Sequence, residues 1–215
     1  MPTNKREPYT QVDTKKRKSD ALVIGNGKSR LQFDLKQLQE LFTTYGCNAL
    51  YRDHIPDYLI SMDFAMVDEI LNSGVHHKTK FYTQYSDKAK HRANIGEPIY
   101  WAIQDKWIGD SGTGALRLAG MNKHKNIYMI GFDYTDDNKY TDNVYAGTKN
   151  YQPGPITNGG EFMLRQWESR LRHWCRAYVD SNVIRVNANG YKPVCKENNF
   201  SNITVEQFKE IYNEL

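Results

Sequence analysis

The stretch ALVIGNGKSR, residues 21–30, begins with four apolar residues and ends in a polar turn that contains two glycines. Its apolar part, residues 22–25, predicts a buried β-strand, because a short apolar run bounded by glycine is typical of a strand covered on both faces. The turn that follows, Gly25-Asn26-Gly27, is either a phosphate-binding turn at the carboxyl end of that strand or an ordinary strand-to-helix turn. The remainder of the chain has to distinguish between these two interpretations.

Beyond this stretch, apolar runs alternate with segments of helical periodicity. Strands are predicted at 45–50, 57–63, 79–85, 126–134 and 181–187, and helices at 34–42, 64–71, 111–120 and 161–179. Strand and helix in turn predict an α/β fold, with a mainly parallel sheet and helices on both faces. The length of 215 residues favours one domain, which we place at 21–215.

The first 20 residues differ from this pattern. They hold six Lys or Arg against three Asp or Glu and contain no apolar periodicity, which predicts a disordered basic tail. Weak contact with nucleic acid is one interpretation of the tail, and a solvated arm without a target is the other. Neither a signal peptide nor an apolar stretch of membrane-spanning length is visible, so we expect a cytoplasmic protein without a membrane span.

The cysteines and histidines give weak signals. Cys47, Cys175 and Cys195 are widely spaced, which predicts free thiols rather than a disulfide or a zinc site. The pair His76-His77 is predicted in an extended segment, where adjacent side chains point in opposite directions, so no metal site is expected there. Most of the histidines fall in polar stretches and are predicted at the surface, namely His54, His76, His77, His91 and His124.

Polar residues follow several of the predicted strands. Asn48, Asp63 and Asp133 each come at the end of an apolar run, and Ser111-Gly112 opens a helix. Ligands of parallel sheets bind beyond the carboxyl ends of the strands, so these residues are expected at one rim. The first turn is not the G-x-G-x-x-G dinucleotide fingerprint, because Arg30 stands where the third glycine would fall.

Five segments, in this order, carry a family resemblance: VIGNGKSR, YGCNALYRD, PDYLISMD, DSGTGALRLA and KNIYMIGFDYT. They resemble the bacterial lipooligosaccharide sialyltransferases. They also resemble a wider group of Rossmann-like proteins that includes archaeal 6-hydroxymethylpterin diphosphokinase-like proteins, and similar small proteins are encoded by tailed phages. The resemblance covers about residues 21–134 and implies a Rossmann-like nucleotide-binding domain, in the host cytoplasm if the protein is phage-encoded.

In the sialyltransferases these segments surround the cytidine nucleotide of an activated sugar. The resemblance therefore implies that the first turn and Asn48 lie near phosphate, sugar or donor, and that the later segments contact the nucleotide. Tyr140 and Tyr145 are candidates for further phosphate contacts. The implied binding residues are Gly25, Asn26, Gly27, Lys28, Ser29, Asn48, Ser111, Gly112, Asp133, Tyr134, Tyr140 and Tyr145.

This chain also departs from the sialyltransferases. Lys28 replaces their usual proline and Arg30 their leucine, and no residue aligns with their catalytic histidine. The candidates for catalysis are Asp133, Asp63 and His91. His91 is a candidate because it lies in the poorly patterned segment 86–97, which we interpret as a mobile lid that contacts the ligand.

Three functions remain open at this point. The first is a glycosyltransferase that uses a CMP- or UDP-sugar and acts on a glycan or other acceptor. The second is an ATP-dependent diphosphokinase or other phosphotransferase, with Mg²⁺ beside Asp63 and Asp133. The third is a non-catalytic phage protein that retains the fold. Trp167 and Trp174 share one face of the helix at 161–179, which predicts either core packing or a subunit interface in a homo-oligomer.

Overall fold

The computed structural model describes residues 19–84, 86–102, 110–133, 143–153, 160–188 and 195–213, and for residues 160–164 the backbone only. The described strands form a single sheet in which every neighbouring pair runs parallel. They are β1 (Ala21–Ile24), β2 (Thr43–Cys47), β3 (Tyr58–Ser61), β4 (Lys80–Thr83), β5 (Ile99–Trp101), β6 (Asn126–Ile130), β7 (Asn182–Asn187) and β8 (Phe200–Thr204). Their order across the sheet is β5-β4-β3-β2-β1-β6-β7-β8.

Helices cover both faces of this sheet. They are α1 (Leu35–Leu41), α2 (Phe64–Ser73), α3 (Asp87–Asn94), α4 (Ser111–Met121), α5 (Gly160–Ala177) and α6 (Val205–Asn213). Helices α4 and α5 pack on the face that presents Tyr45 and Ile127, and α6 packs on the opposite face against Phe42 and Tyr128. The predicted α/β class, the parallel sheet and the Rossmann-like architecture are thereby confirmed.

The strand order reverses between β1 and β6. From β1 the chain adds β2 to β5 on one side, and it then returns to place β6 to β8 on the other side. Such a reversal is the topological switch point of an open parallel sheet, where the connections leave toward opposite faces and open a crevice at the carboxyl ends of the strands. The turn Gly25-Asn26-Gly27 and the residues Gly131 to Asp133 lie at this point.

Several expectations from the sequence need correction. Strands β5 and β8 and helices α3 and α6 were not predicted, and α3 occupies the segment interpreted as a lid. On α2, Val67 is buried as expected, but Phe64 is 64% exposed because it stands in the first turn, beyond the end of the sheet. Contrary to the surface prediction, three histidines are buried: His54, His76 and His124.

The ends and linkers add three observations. Residues 1–18 of the predicted tail lie outside the described residues, whereas the Asp20 carbonyl accepts a hydrogen bond from the Thr43 amide. Trp174 is buried in the core beneath the guanidinium of Arg117, and Trp167 is half-buried. In the part of the chain that the structure describes, no helix is long and apolar enough to cross a membrane.

Candidate functional site

The glycines of the first turn allow the backbone that follows β1 to pass very close to the backbone that follows β6, at the switch point. The Gly25 amide donates to the Ile130 carbonyl and the Gly27 amide to the Gly131 carbonyl, both at 2.8 Å. A Cβ atom on Gly25 would lie 2.4 Å from the Gly131 oxygen, and Gly131 itself has a φ of +69°. Both amides are thus used inside the protein, so they do not form a phosphate-binding cradle.

Asp133 holds the same turn from the end of β6. One carboxylate oxygen accepts from the Ser29 amide at 2.8 Å, and the other accepts a short hydrogen bond from the Ser29 hydroxyl. Ser29 lies in the 3₁₀ helix Lys28–Gln32, so Asp133 satisfies the start of that helix from 104 residues away. The buried guanidinium of Arg185 fixes the approach to Asp133 by donating from Nε to the Phe132 carbonyl at 3.1 Å.

Asn26 is the residue of the turn that points toward β2. Its Nδ2 lies 3.4 Å from the Cys47 carbonyl and 3.5 Å from the Tyr151 hydroxyl, at the outer limit of hydrogen bonding. Its Oδ1 is buried, and no donor among the described residues reaches it. A buried amide oxygen without a donor is costly, so this atom is suited to accept a hydrogen bond from a ligand.

The ends of β2 and β3 carry a second polar group. The Ser61 hydroxyl donates to Asn48 Oδ1 at 2.9 Å, and Asn48 Nδ2 lies 3.4 Å from a carboxylate oxygen of Asp63. Asn48 adopts a φ of +50°, a left-handed conformation that asparagine tolerates better than most residues. One strand further, Thr83 ends β4 fully buried, and its hydroxyl has no partner in the described part of the chain.

The amino terminus of α4 closes the site from the other side. Asp110 caps this helix by accepting from the Thr113 amide at 2.7 Å, and Arg170 of α5 donates to the same carboxylate at 2.7 Å. Ser111 is buried, and its hydroxyl accepts from the Met62 amide at 3.0 Å, which ties the helix to the end of β3. The next amide, that of Gly112, has no acceptor among the residues described and stands at the positive end of the helix dipole.

The electrostatics of this corner are acidic. Burial raises the pKa of the Asp63 carboxyl above its ordinary value, the Asn48 hydrogen bond opposes the shift, and the charge of Asp110 adds to it. Burial and the same two carboxylates are among the causes that raise the pKa of the Cys47 thiol to about 12, despite the opposing charge of Arg30. Cys47 is therefore a neutral thiol, and Asp63 is a more basic carboxylate than an ordinary aspartate.

An open cleft of about 460 Å³ is lined in part by Phe64, the residue that follows Asp63. It lies between the first turns of α2 and α3, and its wall includes the exposed Phe64, the ion pair of Lys88 with Asp68, and Asp87. The volume falls within the range of about 300–1,000 Å³ that ligand pockets occupy. An exposed aromatic ring beside such a cleft can stack on a nucleic-acid base.

The segment 143–153 packs over β1 and β2. The Val144 amide donates to the Asn26 carbonyl at 2.8 Å. The Tyr145 hydroxyl accepts from Arg30 and donates to Asp53, both at 2.7 Å, and burial raises its pKa. Burial likewise raises the pKa of Tyr151, with a contribution from the charge of Asp63. Tyr145 therefore anchors the segment, and the Tyr151 hydroxyl reaches the side chain of Asn26.

We call six residues the carboxyl-edge site: Asn26, Asn48, Asp63, Asp110, Ser111 and Tyr151. Three of the predicted binding residues belong to this site, namely Asn26, Asn48 and Ser111, and Gly112 lies next to it. The predicted catalytic candidate Asp63 belongs to it as well. The structure places others in structural contacts or at the surface: Gly25, Gly27, Ser29, Asp133 and Tyr145 are used internally, and Lys28 and His91 are exposed. Tyr134 and Tyr140 lie outside the described residues.

Sequence reasoning missed three participants: Phe64, Thr83 and Asp110. Tyr151 was a candidate from the sequence, either for lining an acceptor groove or for stacking on a base. Asp110 carried a usable signal, because an aspartate three residues before a threonine at a helix start is a typical N-cap. The helical periodicity assigned Phe64 to the apolar face of α2. Its exposure follows from the position of the first turn of α2 beyond the end of the sheet, which the sequence does not show. Tyr151 enters through contacts with residues more than 100 positions away.

Comparison of the chain with models of protein families, with curated proteins and with solved structures finds no match. The site and the Rossmann-like fold therefore define the class of protein, an α/β domain with a polar crevice at its switch point.

Proposed function

We propose that the carboxyl-edge site binds a nucleotide-sugar and that the protein is a glycosyltransferase. The observation that carries the proposal is Asp63, a carboxylate with a raised pKa at the carboxyl end of β3, next in sequence to the exposed Phe64 that lines the cleft. The resemblance of the five sequence segments to the sialyltransferases supports the same function, with a CMP- or UDP-sugar as donor.

In this proposal the nucleoside occupies the cleft and its base stacks on Phe64. The donor then extends toward the amino terminus of α4, where the Gly112 amide is available to a phosphate oxygen. Asn26 Oδ1 accepts from a hydroxyl or amino group of the donor. The charge of Asp110 opposes the phosphate, and the ion pair of Asp110 with Arg170 offsets part of this repulsion.

Asp63 is the group suited to act as the general base. It removes the proton from the acceptor hydroxyl, and the oxygen forms a bond to the anomeric carbon of the donor sugar. The bond from that carbon to the phosphate oxygen breaks, and its electron pair leaves with the nucleotide. A raised pKa brings a carboxylate closer to the operating pH, which favours proton transfer, and helix-terminal amides stabilise the departing phosphate.

A second candidate, Mg²⁺-dependent phosphotransfer, is favoured by the neighbouring carboxylates Asp63 and Asp110. Hard divalent cations prefer such oxygen ligands and bridge them to phosphates. The sequence placed Asp133 in this role, but the hydrogen bonds from Ser29 occupy both of its oxygens. Both oxygens of Asp110 also accept hydrogen bonds, from Thr113 and from Arg170, so Asp63 would be the principal carboxylate ligand in this second proposal.

A nucleotide screen tests both proposals. Thermal shifts are measured with CMP, UDP, GDP and ATP, each with and without Mg²⁺, and release of nucleotide from the matching CMP- or UDP-sugar is then followed. We expect stabilisation by CMP or UDP and turnover that is lost in Asp63→Asn but retained in Asp180→Asn, a matched change at an exposed turn. Binding of ATP only with Mg²⁺ would replace the first proposal by the second, and no shift with any nucleotide would refute both.

A further inference from the structure

A cluster of two histidines and one glutamate lies at the amino-terminal edge of the sheet, opposite the carboxyl-edge site. His76 and His77 belong to the 3₁₀ helix Val75–His77, which precedes β4. Glu97 lies in the connection from α3 to β5. Because β4 and β5 are neighbouring parallel strands, the residues before them meet at the same edge.

The local backbone brings the two histidine rings together. Gly74, at a φ of +72°, ends α2, and the His77 amide bonds to its carbonyl at 3.2 Å in a tight turn. In that turn the ring centroids of His76 and His77 are 4.1 Å apart. The expectation of an extended segment with opposed side chains was wrong, since the turn places both rings on the same side.

The distances suit a metal ion. One ligand atom from each of the three residues lies within 4.8 Å of the other two, and His76 Nε2 lies 2.6 Å from Glu97 Oε2. Tetrahedral zinc, with bonds of about 2.0–2.1 Å, separates its ligand atoms by about 3.3 Å. The His76 and Glu97 atoms would have to open by less than 1 Å (roughly 0.7 Å) to admit the ion between them.

The chemistry of the three groups points to a transition metal. Imidazole nitrogens favour zinc-like ions over Mg²⁺ and Ca²⁺, and two histidines with one glutamate form a recurrent zinc ligand set.

Arg92 is the group that opposes a cation at this place. Its guanidinium makes a short hydrogen bond to Glu97 Oε1, while Oε2 faces His76. The pairing leaves one oxygen for a metal and fixes the orientation of the carboxylate, as outer-sphere partners of metal ligands do. The positive charge of Arg92 lowers the affinity, and the buried, immobile ring of His76 raises it by limiting the loss of side-chain entropy.

We propose that His76, His77 and Glu97 bind one divalent transition-metal ion of the zinc class. The ion ties the connection before β5 to the turn before β4, and the exposed side of His77 leaves a coordination position open to water. The site is separate from the nucleotide site, since it lies at the other edge of the sheet.

The test uses tag-free full-length protein that has been stripped of metal. Co²⁺ and Zn²⁺ are titrated by calorimetry, and Co²⁺ also by visible absorption, which reports imidazole coordination. All titrations are made in a Cys195→Ser background, because the sulfur atoms of Cys175 and Cys195 lie 4.0 Å apart and could bind zinc themselves. We expect one ion per chain and an increase in melting temperature with Zn²⁺.

The informative variant is His77→Ala, because it removes one ligand and leaves the hydrogen bonds of His76, Glu97 and Arg92 in place. It should weaken Co²⁺ binding by at least about tenfold, the lower limit for loss of even an outer-sphere partner, and abolish the Zn²⁺-dependent rise in melting temperature. His173→Ala, on α5, is the matched control and should leave the affinity within about twofold. Absence of stoichiometric binding, or equal affinity in His77→Ala, would show a hydrogen-bonded network only and overturn the proposal, whatever the nucleotide screen finds.

Discussion

Two polar corners of the same sheet edge differ in how far their hydrogen bonds are satisfied. At the crossing of β1 and β6, the amides of Gly25, Gly27 and Ser29 all donate within the protein, and Asp133 uses both of its oxygens. At the ends of β2 and β3, the contact between Asn48 Nδ2 and Asp63 is long, at 3.4 Å, and Asp63 carries a raised pKa, while the buried Oδ1 of Asn26, which points toward β2, lacks a donor among the described residues. The backbone amides of Gly25 and Gly27 and the Asp133 carboxylate are therefore structural, and the capacity to bind a ligand lies with the Asn26 side chain and the polar residues one strand further along.

The largest expected effect is at the crossing. Gly25→Ala places a Cβ atom 2.4 Å from the Gly131 oxygen, where backbone on both sides prevents relaxation. Overpacking of this kind costs about 3 kcal/mol of the free energy of unfolding, measured by urea denaturation. Gly112→Ala is the control, because the atoms nearest to its added Cβ include the movable ring of Phe132 at 3.3 Å, and it should cost less than about 1 kcal/mol. Equal stability of the two variants would contradict the close crossing.

At the other corner, Asp63→Asn should lower turnover about 100-fold or more, the contribution of a general base, without lowering stability at pH 7. A carboxyl whose pKa is higher in the folded protein than in the unfolded chain binds its proton more tightly in the folded state. Its ionisation therefore lowers the free energy of unfolding as the pH rises above the pKa of the unfolded chain. The asparagine removes this cost.

The pH dependence sharpens the same comparison. The stability gained by Asp63→Asn should be present at pH 7 and vanish near pH 3, below the ordinary aspartate pKa of about 3.9. Denaturant unfolding of both proteins at these two pH values measures it. A gain that grows on acidification would have the wrong sign and would rule out a raised pKa for Asp63.

Asp133→Asn should show the opposite behaviour. The amide keeps the size of the side chain but weakens the charge-assisted bonds to Ser29, so we expect a loss of about 1–3 kcal/mol in the free energy of unfolding. The nucleotide affinity of the protein that remains folded should be unchanged. If instead turnover falls and stability is kept, Asp133 contacts the ligand and the distinction between the two corners is lost.

The smallest effect is expected for the tail. Deletion of residues 1–18, which ends before the contacts of Ser19 and Asp20 with the sheet, should change the free energy of unfolding by less than about 0.5 kcal/mol. A circular-dichroism melt of the shortened protein measures this, and a large destabilisation would show that the tail packs on the domain or on a second copy.

The sequence predicted the central strands because fully buried parallel strands are continuous apolar runs, as in residues 21–24 and 126–130. The switch point follows from the strand order, which only the structure shows. The sequence missed β5 and β8 because these edge strands are only partly buried, so their apolar signal is weak. Asp133 shows why roles are harder to predict than strands. Its position after an apolar strand resembles a ligand contact, and only the fold brings Ser29 to it across 104 residues.

Most directly, the central claim is tested by comparing nucleotide dissociation constants in two pairs of variants. The pair at the carboxyl-edge site is Asn26→Ala and Asn48→Ala, and the comparison pair is Lys28→Ala and Ser29→Ala, in the 3₁₀ helix that follows the glycine-rich turn. Calorimetric titration with the nucleotide that stabilises the wild type should show a loss of about 1–3 kcal/mol for each of the first pair and a change below about 0.5 kcal/mol for each of the second. The reverse result, with affinity lost at Lys28 and Ser29 and kept at Asn26 and Asn48, would contradict the account and return the phosphate to the first turn.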